Sequence, residues 1–323
     1  MRIHLCGVRG STPAPGAEFV RYGGHTSCVA IAPDDSAPDD GAPDDGAPDD
    51  GAPDDGAPGG GAPGGGAPGG GPPRLILDAG TGLRRVTGLL GGAPFAGTII
   101  LTHLHWDHVH GLPFFAAGDR DDARVTLLLP EQEAQDKKAR NKEGSAGAEE
   151  VLARGMSPPH FPITPAGLRG DWSFGSLAPG VFKAEGFTVE AREVPHKGGR
   201  TFGYRVSDGH SAMAYIPDHC PTVLGPGPDG WGEYHPAALA LAAGVDLLIH
   251  DAFLLPDEVA AQASFGHPAA DYAVSLAHRA GAPRVLLTHH KPDRTDDALD
   301  ALAARFRADP RASVAAEGQV IDL

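Results

Sequence analysis

A chain of 323 residues with a hydrophobic fraction of 41% and a charged fraction of 21% suits one large globular domain or two small ones. Ten aspartates between Asp34 and Asp55 dominate the net charge of −16, and without them 32 acids face 26 bases. That mild acidity excludes a broad basic face for long nucleic acids, no run reaches the roughly 18 apolar residues of a membrane span, and three sparse cysteines exclude a disulfide framework. With no signal-like stretch at its start, the chain is expected to be cytoplasmic.

Residues 27–31 read as a strand, and residues 74–78 as its partner. Between them the chain repeats Ala-Pro-Asp-Asp-Gly and then Ala-Pro-Gly-Gly-Gly. These units offer almost no apolar surface to bury, so 33–73 is expected to be a disordered insertion at a hairpin tip, inside one domain spanning 1–323. A calcium-binding repeat is the alternative, but the units lack an EF-hand's ligand spacing and bidentate glutamate. A third strand at 97–102 runs into a histidine cluster. Further apolar strands are expected at 124–129, 187–194, 202–206, 212–216, 245–249 and 285–288, with helical patterns at 237–243, 268–280 and 296–308. The polar stretch 136–154 reads as helical, and 136–168 as either a flap over a site or a surface excursion. Strand meanders followed by strand–helix alternation make this an α/β protein with covered sheets.

The chemistry begins at Thr102-His103-Leu104-His105-Trp106-Asp107-His108. On an extended segment, residues two apart point the same way, so His103 and His105 can share one metal. Asp107 and His108 are adjacent, diverge, and can serve a second centre. Imidazoles and a carboxylate are the ligands that a hydrolytic Zn²⁺ takes. A polar surface turn is the bland alternative, but it does not call for three histidines and an aspartate in six residues.

This motif resembles the signature of the metallo-β-lactamase superfamily. Leu75-Ile76-Leu77-Asp78-Ala79-Gly80 resembles that family's early strand and turn, Pro195-His196-Lys197-Gly198-Gly199 its third-histidine motif, Ile216-Pro217-Asp218 its bridging-aspartate strand, and Leu287-Thr288-His289 its last ligand. The resemblance implies a four-layer αββα sandwich with two mixed β-sheets. It also implies two divalent metal ions, Zn²⁺ first, with Mn²⁺ or Fe²⁺ open. His103, His105 and His196 would bind one ion, Asp107, His108 and His289 the other, with Asp218 between them and Asp78 in support. His290 is the rival for His289, and His219 and Cys220 can line the pocket or serve structure.

Two more elements resemble the tRNA 3′-end endonuclease (RNase Z) branch: Ile249-His250-Asp251-Ala252 and Phe265-Gly266-His267-Pro268-Ala269-Ala270. By that likeness His267 is the general acid and Asp251 its orienting partner, with Asp107 a third catalytic residue. Asp251 stands where that branch has Glu, and Pro268-Ala269 where it has Ser-Thr; helix capping is the structural alternative for His267. The opening Val8-Arg9-Gly10-Ser11-Thr12-Pro13, with Tyr22-Gly23-Gly24-His25-Thr26-Ser27, and the block Gly111-Leu112-Pro113-Phe114-Phe115 resemble phosphodiesterase-type members.

What the resemblance implies is phosphodiester hydrolysis by water activated at the metal pair. Two divalent ions and a hydroxide, set against Asp107 and Asp218, leave about one net positive charge, which suits a singly negative diester. A small phosphodiester, a cyclic nucleotide foremost, is the expected substrate. A tRNA precursor is the alternative, disfavoured because the largest insertion is acidic and Lys137, Lys138, Arg140 and Lys142 form only a modest basic cluster. A non-catalytic metal-binding scaffold is the reading from another class, and a homodimer is open.

Overall fold

The computed structural model describes residues 1–34, 71–132 and 147–323. The 33–73 insertion lies almost wholly outside the described residues, as does the basic cluster at 137–142. In chain order the strands are β1 Arg2–Gly7, β2 Cys28–Ala32, β3 Leu75–Leu77, β4 Ala96–Ile100, β5 Arg124–Pro130, β6 Asp171–Leu177, β7 Gly180–Ala184, β8 Phe187–Glu193, β9 Phe202–Ser207, β10 Ala212–Ile216, β11 Leu247–Asp251, β12 Val285–Thr288, β13 Ala312–Val314 and β14 Val320–Asp322. The helices are α1 Leu83–Leu89, α2 Trp106–Val109, α3 Ala148–Ala153, α4 Pro236–Ala242, α5 Pro256–Gln262, α6 Ala270–Ala280 and α7 Asp296–Arg305.

Among the described residues the strands form two seven-stranded sheets, ordered β14-β1-β2-β3-β4-β5-β6 and β13-β12-β11-β10-β9-β8-β7. Both are mixed. β2 and β3 pair antiparallel, Val29 opposite Leu77, so the flanks of the repeat are hairpin partners as expected. From β3 to β6 the first sheet is parallel, and from β10 to β13 so is the second.

Side-chain alternation sorts the layers. Leu75, Leu77 and Ile100 point between the sheets to meet Tyr204, Met213, Tyr215 and Leu286, while Ile76, Ile99 and Leu101 point outward onto Leu83 and Val86 of α1 and Leu152 of α3. On the far side, Ala214 and Ile216 pack on Leu241 of α4, Leu276 of α6 and Leu299 of α7. The result is the four-layer αββα sandwich. Tyrosines between the sheets need polar partners when buried. Tyr204 Oη finds the Leu101 carbonyl at 2.7 Å and Tyr215 Oη finds Asp78 Oδ2 at 3.0 Å. No helix among the described residues is long and apolar enough to cross a membrane.

Several local expectations change. The strand expected at 245–249 is Leu247–Asp251, so Asp251 is its last residue. The helix expected from 268 starts at Ala270, because the Pro268 carbonyl accepts from Leu254 N and residues 254 and 269 form a β-bridge. Of the helix expected over 136–154, the described part is Ala148–Ala153. The histidine motif is extended only as far as His105, since Trp106–Val109 is a helical turn. Gly155, Met156, His160 and Phe161 line, with Trp106, His110 and Phe114, a cavity of about 810 Å³, and none of them lines the cavity over His196 and His267.

Candidate metal centre and active site

Parallel strands put their carboxyl ends on one edge, where α/β sheets bind ligands. In the second sheet Ile216 pairs with His250 and Asp251 with Thr288, so Asp218, Asp251 and His289 emerge side by side. In the first sheet Leu77 pairs with Ile100, which sends Asp78 and Thr102-His103 to the facing edge. The loop after β8 brings His196, and the turn before α6 brings His267. Every predicted site residue arrives in one cluster.

The geometry is ordered around Asp218, which is 1% exposed. Its Oδ1 lies 3.3 Å from His196 Nε2 and 4.0 Å from His103 Nε2. Its Oδ2 lies 3.0 Å from His108 Nε2 and 3.2 Å from His289 Nε2. His105 joins the first set through Nδ1, 3.3 Å from His196 Nε2. Asp107 joins the second, with Oδ2 3.1 Å from His289 Nε2 and 3.3 Å from His108 Nε2. Two donor sets thus face opposite oxygens of one carboxylate. Within His103, His105, His196 and Asp218, and within Asp107, His108 and His289, potential ligand atoms lie no more than 4.8 Å apart.

Whether these donors suit cations can be judged from their buried atoms. Among the described residues His103 Nε2 is buried without a hydrogen-bond partner, and His108 Nε2 and Asp218 Oδ2 are buried 3.0 Å apart with no partner in hydrogen-bonding alignment. Left so, each costs about 1–3 kcal/mol; aimed at a shared cation, each is satisfied. The outer nitrogens are already engaged, which turns the inner lone pairs toward the cluster. His108 Nδ1 meets Asp78 Oδ2 at 2.7 Å, His196 Nδ1 meets the Gly266 carbonyl at 2.9 Å, and His103 Nδ1 meets Thr102 Oγ1 at 3.0 Å. The residues fit a pair of metal ions.

Electrostatics agree with that fit. Burial pushes His103 well below the ordinary imidazole range and His196 down to about 4, so both offer lone pairs at neutral pH. Burial alone would raise the Asp218 carboxyl, but His289, His108, His103 and His196 outweigh it and hold it well below the usual range. Burial also opposes charge on His108 and His289. Asp78, Asp107 and Asp218 overcome it at His108, while Asp218, Asp107 and Asp251 raise His289 to about 9. Protons on those two rings therefore balance the carboxylates, a charge that divalent cations can carry instead.

Beside this cluster His267 Nδ1 meets Asp251 Oδ2 at 2.9 Å and lies 3.7 Å from Asp218 Oδ1. Phe253 stacks on the His267 ring, with centroids 4.3 Å apart and planes 19° apart. Asp251 also accepts from the backbone N–H groups of His219 and Phe253. Burial raises its carboxyl, against the pull of His267. A shorter carboxylate than glutamate thus still reaches its histidine, because Asp251 ends the strand beside it. The residue flanking α6 at its start is Ala269, so His267 does not cap that helix.

Three neighbours point elsewhere. His290, the rival of His289, turns its Nε2 to the Ala315 carbonyl at 2.8 Å. His219 is fully buried against His250 and Tyr272, and Cys220 is buried too; neither lines the cavity over the cluster.

Sequence reasoning missed several supports. Ser11 N donates to Asp107 Oδ2 at 2.7 Å. Gly10 lets the opening loop close on the last histidine, since a Cβ there would sit 2.5 Å from the His289 ring. Ser11, Asp78 and His289 hold φ of 60°, 62° and 58°, strain of about 1–3 kcal/mol each that concentrates where geometry is over-determined. Tyr215 gave one overlooked signal: a hydroxyl at an inward strand position must have a buried partner.

Comparison with known proteins follows the same lines. A profile of the beta-lactamase superfamily domain matches residues 74–290. A ribonuclease Z of Salinibacter ruber is 28% identical over 286 residues, covering 75% of this chain and 83% of its own. The metallo-beta-lactamase fold protein YhfI from Bacillus subtilis aligns with a TM-score of 0.60 at 17% identity over 99% of each chain. The short form of human tRNase Z aligns at 0.59 and 18% identity, covering 100% of this chain and 99% of that one. These last two likenesses are of fold. The matched profile spans both donor sets, and with it the chain belongs to the beta-lactamase superfamily and is a metal-dependent hydrolase.

Proposed function

We propose that this chain hydrolyses phosphodiester bonds in small nucleotides, cyclic nucleotides foremost. His103, His105 and His196 would hold one divalent ion and Asp107, His108 and His289 the other, with Asp218 shared; Zn²⁺ is the first candidate, then Mn²⁺ or Fe²⁺. When bound, such a pair supplies nucleophilic water at neutral pH and neutralises phosphoryl charge. The chain's own residues supply the rest.

The observation that carries this reading is the His267–Asp251 pair. Asp251 accepts from His267 Nδ1 at 2.9 Å, so Nε2 is the nitrogen left for a ligand. A leaving alkoxide needs a proton, and His267 is the group that would give it. Phe253 covers one face of the imidazole and fixes its plane. Amide and thioester hydrolysis on the same metals does not call for this pair. The cavity over His267 is about 570 Å³, bordered by Ser11, Lys197, Phe265 and Lys291, a size that admits a mononucleotide.

The competing reading is an RNA 3′-end endonuclease, favoured by the ribonuclease Z named among its sequence relatives. Parallel assays of cyclic mononucleotides, dinucleotides and a tRNA precursor separate the two. Turnover of the precursor alone would replace the small-nucleotide reading.

Bis(p-nitrophenyl) phosphate cleavage is expected to vanish on chelation, return with added metal, and fall at least about a hundredfold in His103→Ala. Unchanged turnover in that variant would refute the assignment. Gly10→Ala should press on the His289 ring and weaken retention of one metal equivalent about 10- to 100-fold in chelator competition, as losses of ligand-orienting contacts do. Unaltered retention of both equivalents would show that the loop yields instead.

A further inference from the structure

Phe265 stands out among the residues bordering the cavity. It is 56% exposed, it is absent from every buried apolar cluster of the described residues, and no described aromatic ring packs on it. A phenyl ring left in water forgoes the gain of burial without contributing to the core. Yet its backbone is firmly held. It ends the short turn Ala263–Phe265, and Gly266 follows in the left-handed region at φ 93°. Gly266 N donates to the Ala263 carbonyl, and the Gly266 carbonyl accepts from His196 Nδ1 at 2.9 Å. One residue further on is His267. The exposed ring is therefore registered to a predicted ligand on one side and the predicted proton donor on the other. Lys197 lies against Gly266, and Lys291, paired with Glu258 and Asp293 at 3.6 and 3.5 Å, borders the same cavity.

We infer that Phe265 is a specificity-determining residue: a platform on which the base of a nucleoside phosphodiester stacks while its phosphate lies over the metal cluster. The inference rests on the phosphodiesterase reading and narrows its substrate to diesters bearing a nucleobase on the side of the Phe265 turn. Stacking explains the combination of features. An aromatic face accepts any base, because each presents a π-surface, and a rigid two-torsion side chain loses little entropy on contact. Lys197, which borders the same cavity, adds positive charge without reading the base.

The test is equilibrium binding, by calorimetry on metal-loaded full-length protein. An adenosine 5′-methylphosphinate, with methylene in place of the bridging oxygen, is the probe, and dimethylphosphinate the reference that lacks a base; with P–C bonds neither can be hydrolysed. The wild type should bind the adenosine probe at least about tenfold more tightly than dimethylphosphinate. Phe265→Ala and Phe265→Leu should erase that preference, Leu because it keeps apolar bulk but no π-face, and Phe265→Tyr should restore it. A wild type without the preference, or a preference that survives in Phe265→Ala, overturns the inference. Bis(p-nitrophenyl) phosphate turnover, measured in parallel, judges the other reading separately. A protein that prefers the base yet cleaves no diester would sink the phosphodiesterase assignment and leave the platform standing.

Discussion

Asp218→Ala is expected to lose at least about a thousandfold in kcat/KM on a phosphodiester and to retain fewer than two metal equivalents, as read by elemental analysis after dialysis. The expectation follows from the position of its two oxygens. One lies 3.3 Å from His196, the other 3.0 Å from His108 and 3.2 Å from His289, so a single deletion removes a donor from both sets. It also removes a buried negative charge that would offset the incoming cations, leaving Asp107 as the remaining carboxylate of the two donor sets. A loss of several kcal/mol in charge stabilisation corresponds to about three orders of magnitude in rate. Asp218→Asn keeps the shape and separates this electrostatic role from misfolding. Two retained equivalents and turnover within tenfold of the wild type, in the alanine variant, would remove Asp218 from the bridge.

The second large effect depends on the leaving group. His267→Ala should lower kcat by about 10²- to 10⁴-fold on a cyclic nucleotide, whose departing ribose oxygen is strongly basic and needs a proton. On bis(p-nitrophenyl) phosphate the fall should be far smaller, because p-nitrophenolate leaves without help. Asp218, Asp251, His267 and His289 also offer ligand atoms within 4.8 Å of one another, so metal content is read in parallel; two equivalents are expected, because His267 Nδ1 is engaged by Asp251 Oδ2 at 2.9 Å. His267→Gln, which fills more of the space beside Phe253, guards against collapse of the stacked pair. Asp251→Asn should show the same leaving-group pattern more weakly, because it leaves the ring in place but loses the charge that orients it. Equal losses on both substrates would mean that His267 holds substrate or metals and does not protonate the leaving oxygen.

Strands such as β10 and β12 were legible because both faces are covered, so they read as near-continuous apolar runs next to turn residues. β6, β7 and β14 were not. They lie at sheet edges with one face open to solvent, and their alternation dissolves into sequences such as Asp-Trp-Ser-Phe-Gly-Ser-Leu. Helix α2 was hidden for another reason. Four residues carrying two predicted ligands have no room for a hydrophobic period, and only the turn's backbone geometry reveals it.

From its residues alone the sequence determined an α/β protein and the local donors His103, His105, Asp107 and His108, while the later donors and the four-layer sandwich were what the resemblance implied. Coordination chemistry demands particular side chains at strand ends, and that demand is written in local spacing. What the tertiary structure alone decided is how those donors are held. Asp78 receives the Tyr215 hydroxyl across 137 positions, Ser11 reaches Asp107 across 96, and the missing Cβ of Gly10 makes room for the His289 ring. Contacts between residues so far apart depend on the register and packing of whole sheets, and no window of sequence contains that information.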